Sequence, residues 1–444
     1  MTVDNYSLQG GLKREMMSVA LADPDVIRDV WYTATILIGH TSYPIKLLES
    51  VHILRDFNSK TSDIIKIVFN MHAGEYIEDI KPNKDKLRIR LKHNLPGPTA
   101  IDDYKLIISL EDKNISADAI KGNKDSLNNA LLTIHAECVD EAVLFLKQQN
   151  KGIIIKDGTV ETAIARTLDA GITKVTGKFG IGKKPISIIK PDNNRVYKSI
   201  VIPATMKVMN VPIYLQEKLG GVYNGSINTY VYRYNNKLRA YVFPLYRPNL
   251  LKSTGNKLII ISATSLITGA GEATYSVDSN GDVRILVLQK EKLDDDNTEM
   301  LGKGGSIKGI DANTVRGRPV SISKDGVELK VKSMYRDMKD SLSDDLSDII
   351  NVAPTDNFYE PRSKILKNKI VKTTVEWNLS NVSLLYPYMP VIFLEEQNNK
   401  PVMREGVLNG IDVHTINPSK KETAVLSILI TKRERKGSKP VKLF

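Results

Sequence analysis

The chain has a single cysteine, Cys138, in 444 residues. No intrachain disulfide can form, and no zinc site can be built from thiolates. Lying in an apolar run, Cys138 reads as a buried structural thiol rather than a nucleophile. Long hydrophobic runs are equally scarce. The longest, residues 258–266, is broken by Ser262, Thr264 and Ser265 and falls short of the roughly 20 apolar residues of a membrane helix. The opening residues, Met1-Thr-Val-Asp-Asn-Tyr6, carry neither the basic nor the apolar region of a secretory signal. The expectation is a soluble protein made in the cytoplasm, with no membrane anchoring.

Histidines are few as well: His40, His52, His72, His93, His135 and His414. None stand two or four apart, so a local metal motif is missing and only convergence in three dimensions could build one. No Gly-x-Ser-x-Gly elbow marks a hydrolase. Acid pairs such as Glu75 and Glu78 occur on any surface and do not specify a glycosidase.

What the chain does have is ordinary core material and an excess of cations. Hydrophobic residues make up 41% and charged residues 26%, which excludes wholesale disorder. The length allows two to four domains. A net charge of +12 favours acidic partners, whether nucleic acid, an anionic surface or an acidic protein face.

The clearest local pattern is Leu87-Arg88-Ile89-Arg90-Leu91-Lys92, apolar on one face and cationic on the other at a period of two. Strands are expected at residues 31–38, 51–56, 64–69, 86–92 and 104–110, with a turn at Pro96-Gly-Pro98 before the last. Leu127, Ala130, Leu131, Ile134, Cys138, Ala142 and Phe145 have helical spacing, predicting a helix over 126–149 capped by Asp125 or Ser126. A second helix is expected over 159–170, stopped by Gly171, and a short one from Asn210-Val-Pro212 to Gly220-Gly221. An aromatic hairpin follows, residues 230–234 and 238–243, turning at Asn235-Asn236, and then a second hairpin over 273–288. Residues 292–365 read as an extended arm or loop, and strands resume at 370–377, 391–394 and 423–431.

Three segments invite a chemical reading and fail it. Gly177-Lys-Phe-Gly-Ile-Gly182-Lys183-Lys184 approaches a phosphate-binding loop, but Lys184 replaces the magnesium-binding hydroxyl. Pro185 and a strand-like run then stand where the helix should begin. Asp278-Ser-Asn-Gly-Asp282 resembles part of a calcium loop but is flanked by strands, so it reads as a turn. Tyr230, Tyr232 and Tyr234 share a strand face near Arg233 and Arg239 and could stack bases; packing on a neighbouring sheet or subunit is the plainer use. No catalytic residue, cofactor or metal is expected. The surfaces expected to make contacts are Arg88, Arg90 and Lys92, the three tyrosines, and the basic tail with Lys432, Arg433, Arg435 and Lys436.

Three blocks together resemble the baseplate hub, or tail hub, proteins of tailed bacteriophages. They are residues 63–92; Pro212-Ile-Tyr-Leu215 through Leu219-Gly-Gly221-Val-Tyr223 to Ala240-Tyr-Val-Phe-Pro-Leu245; and Val375-Glu-Trp377-Asn-Leu-Ser380 with Leu384-Leu-Tyr-Pro387-Tyr-Met-Pro390-Val. The resemblance covers most of residues 25–435, and residues 292–365 fit it poorly. It implies a mainly β, α+β chain with two tail-tube-like β-barrel domains and inserted helical or mixed segments. The expected division is an arm at 1–24, barrel one at 25–110, an α+β segment at 111–185, and barrel two from 186–210 with 370–431. An aromatic hairpin domain at 211–291, an arm or loop at 292–369 and the tail at 432–444 complete it. The implied role is structural and non-enzymatic: a homotrimer in the virion tail, assembled in the host cytoplasm, that adapts a sixfold tube to a threefold spike or tip. Implied partners are the tail tube protein, the central spike or tail-tip protein, the tape-measure protein and transiting DNA. Other readings are a hexameric distal-tail or tube-capping protein, or a nucleic-acid-binding protein.

Overall fold

Alternation at a period of two governs the first third of the chain, and it builds one face of a large sheet. The computed structural model describes residues 30–57, 60–95, 99–111, 130–219, 221–223, 227–244, 256–263, 275–288, 321–324, 327–330, 370–397 and 400–431. The fold is α+β and mainly β. The first strands are β1 (Trp31–Ile38), β2 (Thr41–Ile45), β3 (Leu47–Asp56), β4 (Ile64–His72), β5 (Arg88–Asn94), β6 (Ala100–Glu111) and β7 (Leu131–Val139). All pair antiparallel, in the order β3-β4-β7-β6-β5-β1-β2. In β5 the alternation is complete: Ile89 and Leu91 are buried while Arg88, Arg90 and Lys92 are exposed. Between β4 and β5 the chain is helical over Ala73–Glu75, Tyr76–Ile80 and Lys81–Lys86, and seats Tyr76 and Ile80 in the core.

The expected helix over 126–149 is half strand. Leu132, Ile134, Ala136 and Cys138 alternate and are all buried in β7, hydrogen-bonded on both edges by β4 and β6. The same apolar residues satisfy a helical period, and tertiary pairing decides between the two. The helix begins only at Glu141–Gln148, with Asp140 as the cap accepting from the amides of Ala142 and Val143; residues 125 and 126 lie outside the described residues. The next helix, Val160–Phe179, runs past Gly171 and ends at Gly180 in the left-handed region, φ 64°. Gly171 serves packing instead: a Cβ there would lie 2.8 Å from Val208 Cγ1.

The middle of the chain adds β8 (Ile153–Gly158), β9 (Gly182–Lys183), β10 (Ser187–Ile188) and β11 (Tyr197–Ile202), then β12 (Ile227–Tyr234) and β13 (Lys237–Pro244). The last two form the expected hairpin, with Asn235 and Asn236 both at positive φ as a tight right-twisted turn requires. β11 pairs with β8, and β9 and β10 pair with β13. Residues 186–210 therefore hydrogen-bond to this middle layer, not to the strands of 370–431 with which they were expected to combine. With the helices Glu141–Gln148, Val160–Phe179 and Val211–Lys218 they enclose a second hydrophobic core.

The later strands are β14 (Leu258–Ala263), β15 (Tyr275–Val277), β16 (Val283–Leu288), the isolated pair β17 (Ser321–Lys324) and β18 (Val327–Lys330), then β19 (Ile370–Asn378), β20 (Pro390–Gln397), β21 (Lys400–Ile416) and β22 (Lys421–Thr431). Apart from β17 and β18, residues 292–365 lie outside those described. β14 sits between β16 and β20, parallel to both. That position explains the four consecutive apolar residues Leu258–Ile261, because both of its faces are covered.

β21 was not foreseen and joins everything. Residues 400–407 pair with β20, residues 410–416 with β3, and residues 406–416 with β22 on the other edge. At the bulge between Leu408 and Gly410 the partner on one edge changes, and the two halves become one 14-stranded sheet. One core runs from Tyr32 through Phe69, Leu106 and Trp377 to Ile430.

Two predictions follow from this packing. Ile89→Asp places an unpaired carboxylate in the core and should abolish soluble expression, whereas Arg88→Ser should shift stability by less than about 1 kcal/mol in urea titrations. Gly406→Ala would bring a Cβ within 2.3 Å of the Leu429 carbonyl oxygen. Backbone must move, and a loss of about 2 kcal/mol or more is expected by the same measurement.

Candidate functional site

The cationic strand face is partly answered by its own chain. Arg90 forks onto Asp103, its cross-strand partner, with Nε to Oδ1 at 2.8 Å and Nη2 to Oδ2 at 2.9 Å. Arg88 reaches Glu141 at 3.4 Å. Lys92 stands beside the exposed Ile101. The stripe is thus a mixed surface rather than an uninterrupted positive track.

Of the tyrosines, Tyr230 and Tyr232 are buried and Tyr234 is half-buried. Tyr230 meets Phe57 edge-on at 4.9 Å, Tyr232 stacks on Tyr241 at 6.0 Å, and Tyr241 stacks on Tyr386 at 6.4 Å. They pack on neighbouring sheets of the same chain, so Tyr230 and Tyr232 present no ring face on which a base could stack. Lys432, Arg433, Arg435 and Lys436 lie outside the described residues.

Sequence reasoning missed a chain of acids that holds the hairpin. The Tyr230 hydroxyl donates to Asp63 at 2.7 Å, and Arg55 Nε donates to the same carboxylate at 3.1 Å. The Val231 amide donates to the Thr61 carbonyl at 2.9 Å. Arg233 donates to the Asp103 carbonyl at 2.8 Å and to Asp140, which also caps the Glu141–Gln148 helix. Asp102 accepts from the amides of Asn235 and Asn236, at 2.9 and 2.8 Å, and so grips the turn itself. Asp63, the pair Asp102-Asp103 and Asp140 lie far apart in sequence, and the packing of the hairpin against β6 and the ends of β4 and β7 brings them together.

Next to them is a cavity of about 40 Å³, lined by Tyr32, Arg55, Asp63, His93, Asp102 and Arg233 among others. It has room for about one water and none for a substrate. Beyond His93, one of its lining residues, Glu422 accepts from Ser380 Oγ at 3.0 Å and from the Val382 amide at 3.2 Å. His93, stacked on Tyr32 at 4.2 Å, faces Glu422 at 3.6 Å. The convergence of charge here locks elements together and offers no open reaction site. A wider cleft of about 350 Å³, lined by Arg239, Tyr241, Phe243 and Tyr386, lies between the hairpin and residues 383–387.

The other chemical readings resolve locally. The glycine-rich loop follows a helix instead of preceding one, and Lys183 Nζ is held by Asp169 at 2.7 Å and Thr173 at 2.9 Å. Asp278 accepts from the amides of Asn280 and Asp282 and pairs with Arg284, so the calcium-like segment is a turn. Among the described residues, His52, Asp412 and His414 form a group with the composition of a metal site, which the sequence spacing did not show. Asp412 and His414 are two apart, as a strand face requires, but β21 was not recognised as a strand.

Burial pushes the Asp102 carboxyl up to about 6, against the pull of its two amide donors. Its unfolded value is about 4, so the folded state binds the proton more tightly and the contribution of Asp102 to stability falls as pH rises from about 4 to 6. The fall should be on the order of 3 kcal/mol at most. Measured by urea unfolding, wild type should lose stability relative to Asp102→Asn across this window; a constant difference would contradict the assignment.

No protein-family model matches this sequence, and a search of curated proteins finds no relative. Solved structures that the chain is similar to include a tail protein from Neisseria meningitidis, at TM-score 0.41 and 11% identity, covering 90% of this chain and 96% of that one. The 43 kDa tail protein of prophage MuSo2 from Shewanella oneidensis gives 0.40 and 12%, with 89% and 97% covered. The E. coli c3393 protein, a type VI secretion component described as structurally similar to the T4 tail proteins gp27 and gp5, gives 0.36 and 9%, with 91% and 79% covered. Likeness at this level carries no argument about what the chain does.

Proposed function

We propose that the chain is a structural, non-enzymatic component of a bacteriophage tail, and that three copies form a baseplate or tail hub. The observation that supports this reading is where the three hub-like blocks lie. The first supplies Asp63, which binds Tyr230 of the hairpin. The second supplies Tyr241 and Phe243, and the third supplies Tyr386 and Tyr388, stacked on them at 6.4 and 5.0 Å. Blocks far apart in sequence converge on one hairpin, as residues serving one architecture would. The two β halves, 30–139 and 258–288 with 370–431, correspond in this reading to two tube-like units, and β21 fuses them.

On this proposal the chain belongs to the virion tail and is assembled in the host cytoplasm. Its partners are the tail tube protein on one side and a central spike or tail-tip protein on the other, with the tape-measure protein and DNA passing through. Arg88, Arg90, Lys92 and the basic residues 432–436 are the proposed contact groups. Two units per chain in a ring of three would present six quasi-equivalent units to a sixfold tube. The distal-tail alternative differs in needing six chains. A nucleic-acid-binding role loses the ring faces of Tyr230 and Tyr232, which are buried, and rests chiefly on the charge of the chain.

Light scattering of the purified full chain, with electron micrographs of the particle, tests the proposal. A mass three times that of the chain and a threefold ring with an axial channel are expected. Six copies per ring would favour the distal-tail reading. A strict monomer in solution with no ring in any particle would overturn both.

A further inference from the structure

The seam between the two β halves carries a group of side chains that the proposed role does not use. His52 on β3 and His414 on β21 are cross-strand partners, and Asp412 precedes His414 by two residues. A period of two sets all three on one face. The opposite face is anchored by Val51 and Val413, both fully buried. The face itself is open: the side chains of His52, Asp412 and His414 are 32%, 38% and 55% exposed.

The three side chains share one carboxylate oxygen. His52 Nε2 is hydrogen-bonded to Asp412 Oδ1, and His414 Nε2 is directed at the same oxygen from 3.5 Å. At that distance the second contact is not a good hydrogen bond. The imidazoles lie stacked, with centroids 4.1 Å apart and planes 11° apart. Two ring nitrogens and one carboxylate therefore converge within 4.8 Å. Donors around a tetrahedral zinc ion stand roughly 3.3 Å apart, given bonds of about 2.0–2.1 Å. His414 and Asp412 already stand near that spacing, and a bound ion would require the two stacked, half-exposed rings to turn about their side-chain bonds. Lys66, opposite His52 on β4, is exposed and can hold its ammonium clear of a cation.

We propose that His52, Asp412 and His414 bind one divalent first-row transition-metal ion. Two imidazoles and a carboxylate are a donor set such ions favour, and solvent completes the coordination. Because the ligands come from β3 and β21, a bound ion would tie together the strands that join the two halves.

Calorimetric titration of zinc chloride into the untagged full chain tests this. One ion per chain is expected, with affinity reduced about tenfold or more by His52→Ala or by His414→Ala and unchanged by His40→Ala at an exposed control histidine. Zinc should raise the melting temperature of wild type, and a chelator should reverse the shift. Cobalt(II) reads the site without any substitution: an absorption spectrum of lowered coordination, lost when zinc is added, is expected. Absence of saturable binding, binding indifferent to both ligand substitutions, or a cobalt spectrum identical to the aqueous ion would each overturn the proposal.

Discussion

The fold depends on the hairpin of β12 and β13 being wedged between two hydrophobic cores. Tyr230, Tyr232 and Phe243 point into the large core, and Val231, Leu238, Ala240 and Val242 into the helical core. A hairpin whose strands are largely buried must find internal partners for its buried polar groups, although its turn at Asn235 and Asn236 is exposed. Asp63, Asp102, Asp103 and Asp140 meet that requirement from the loops and strands of the first half. Removing the Asp63 or the Asp140 carboxylate would leave the buried Tyr230 hydroxyl or the Arg233 guanidinium short of an acceptor, which costs more than the bond itself contributes. The charges fix where the hairpin sits, and the apolar faces supply the cohesion.

The second constraint is β21. A strand that serves two sheets must change partner without breaking, and the bulge at Leu408 and Gly410 permits this. A Cβ at Gly406 would clash with the Leu429 carbonyl and one at Gly410 would press on that of Arg55, so the chain passes through a gap that favours glycine. Phe57 donates its amide to the Asn409 carbonyl at 3.1 Å, keeping the bulged backbone paired. The two halves cannot move independently about such a joint. A subunit that transmits geometry between neighbours of different symmetry would need that stiffness.

Much of this architecture was legible in the residues, and the failures have a common cause. β1, β5, the aromatic hairpin and the hairpin of β15 and β16 announce themselves through alternation and turn residues. β7 was misread because its leucines and isoleucine fit both periods, and the decision belongs to β4 and β6 on either side. β21 was overlooked because Gly406, Asn409 and Gly410 interrupt its apolar pattern. Those residues are where two other chain segments press against it, so the signal of a breaker and the signal of a junction coincide. The polar seam and the histidine group were invisible for the related reason that register, not spacing along the chain, assembles them.

The charge of the chain is also distributed in a way its total conceals. Arg90 and Arg88 on the cationic strand face are opposed by Asp103 and Glu141, and Lys183 by Asp169. Residues 432–444 hold six lysines and arginines and one glutamate, a large share of the net excess of +12. An electrostatic attraction to acidic partners therefore resides more in that segment than on the sheet. Salt screens charges in contact with solvent within about 10 Å at 0.1 M, while the buried pairs Arg55–Asp63 and Arg233–Asp140 beneath the hairpin are screened far less. Ionic strength should thus separate the two kinds of charge, weakening any attraction to unpaired cations and leaving the folded seam nearly untouched.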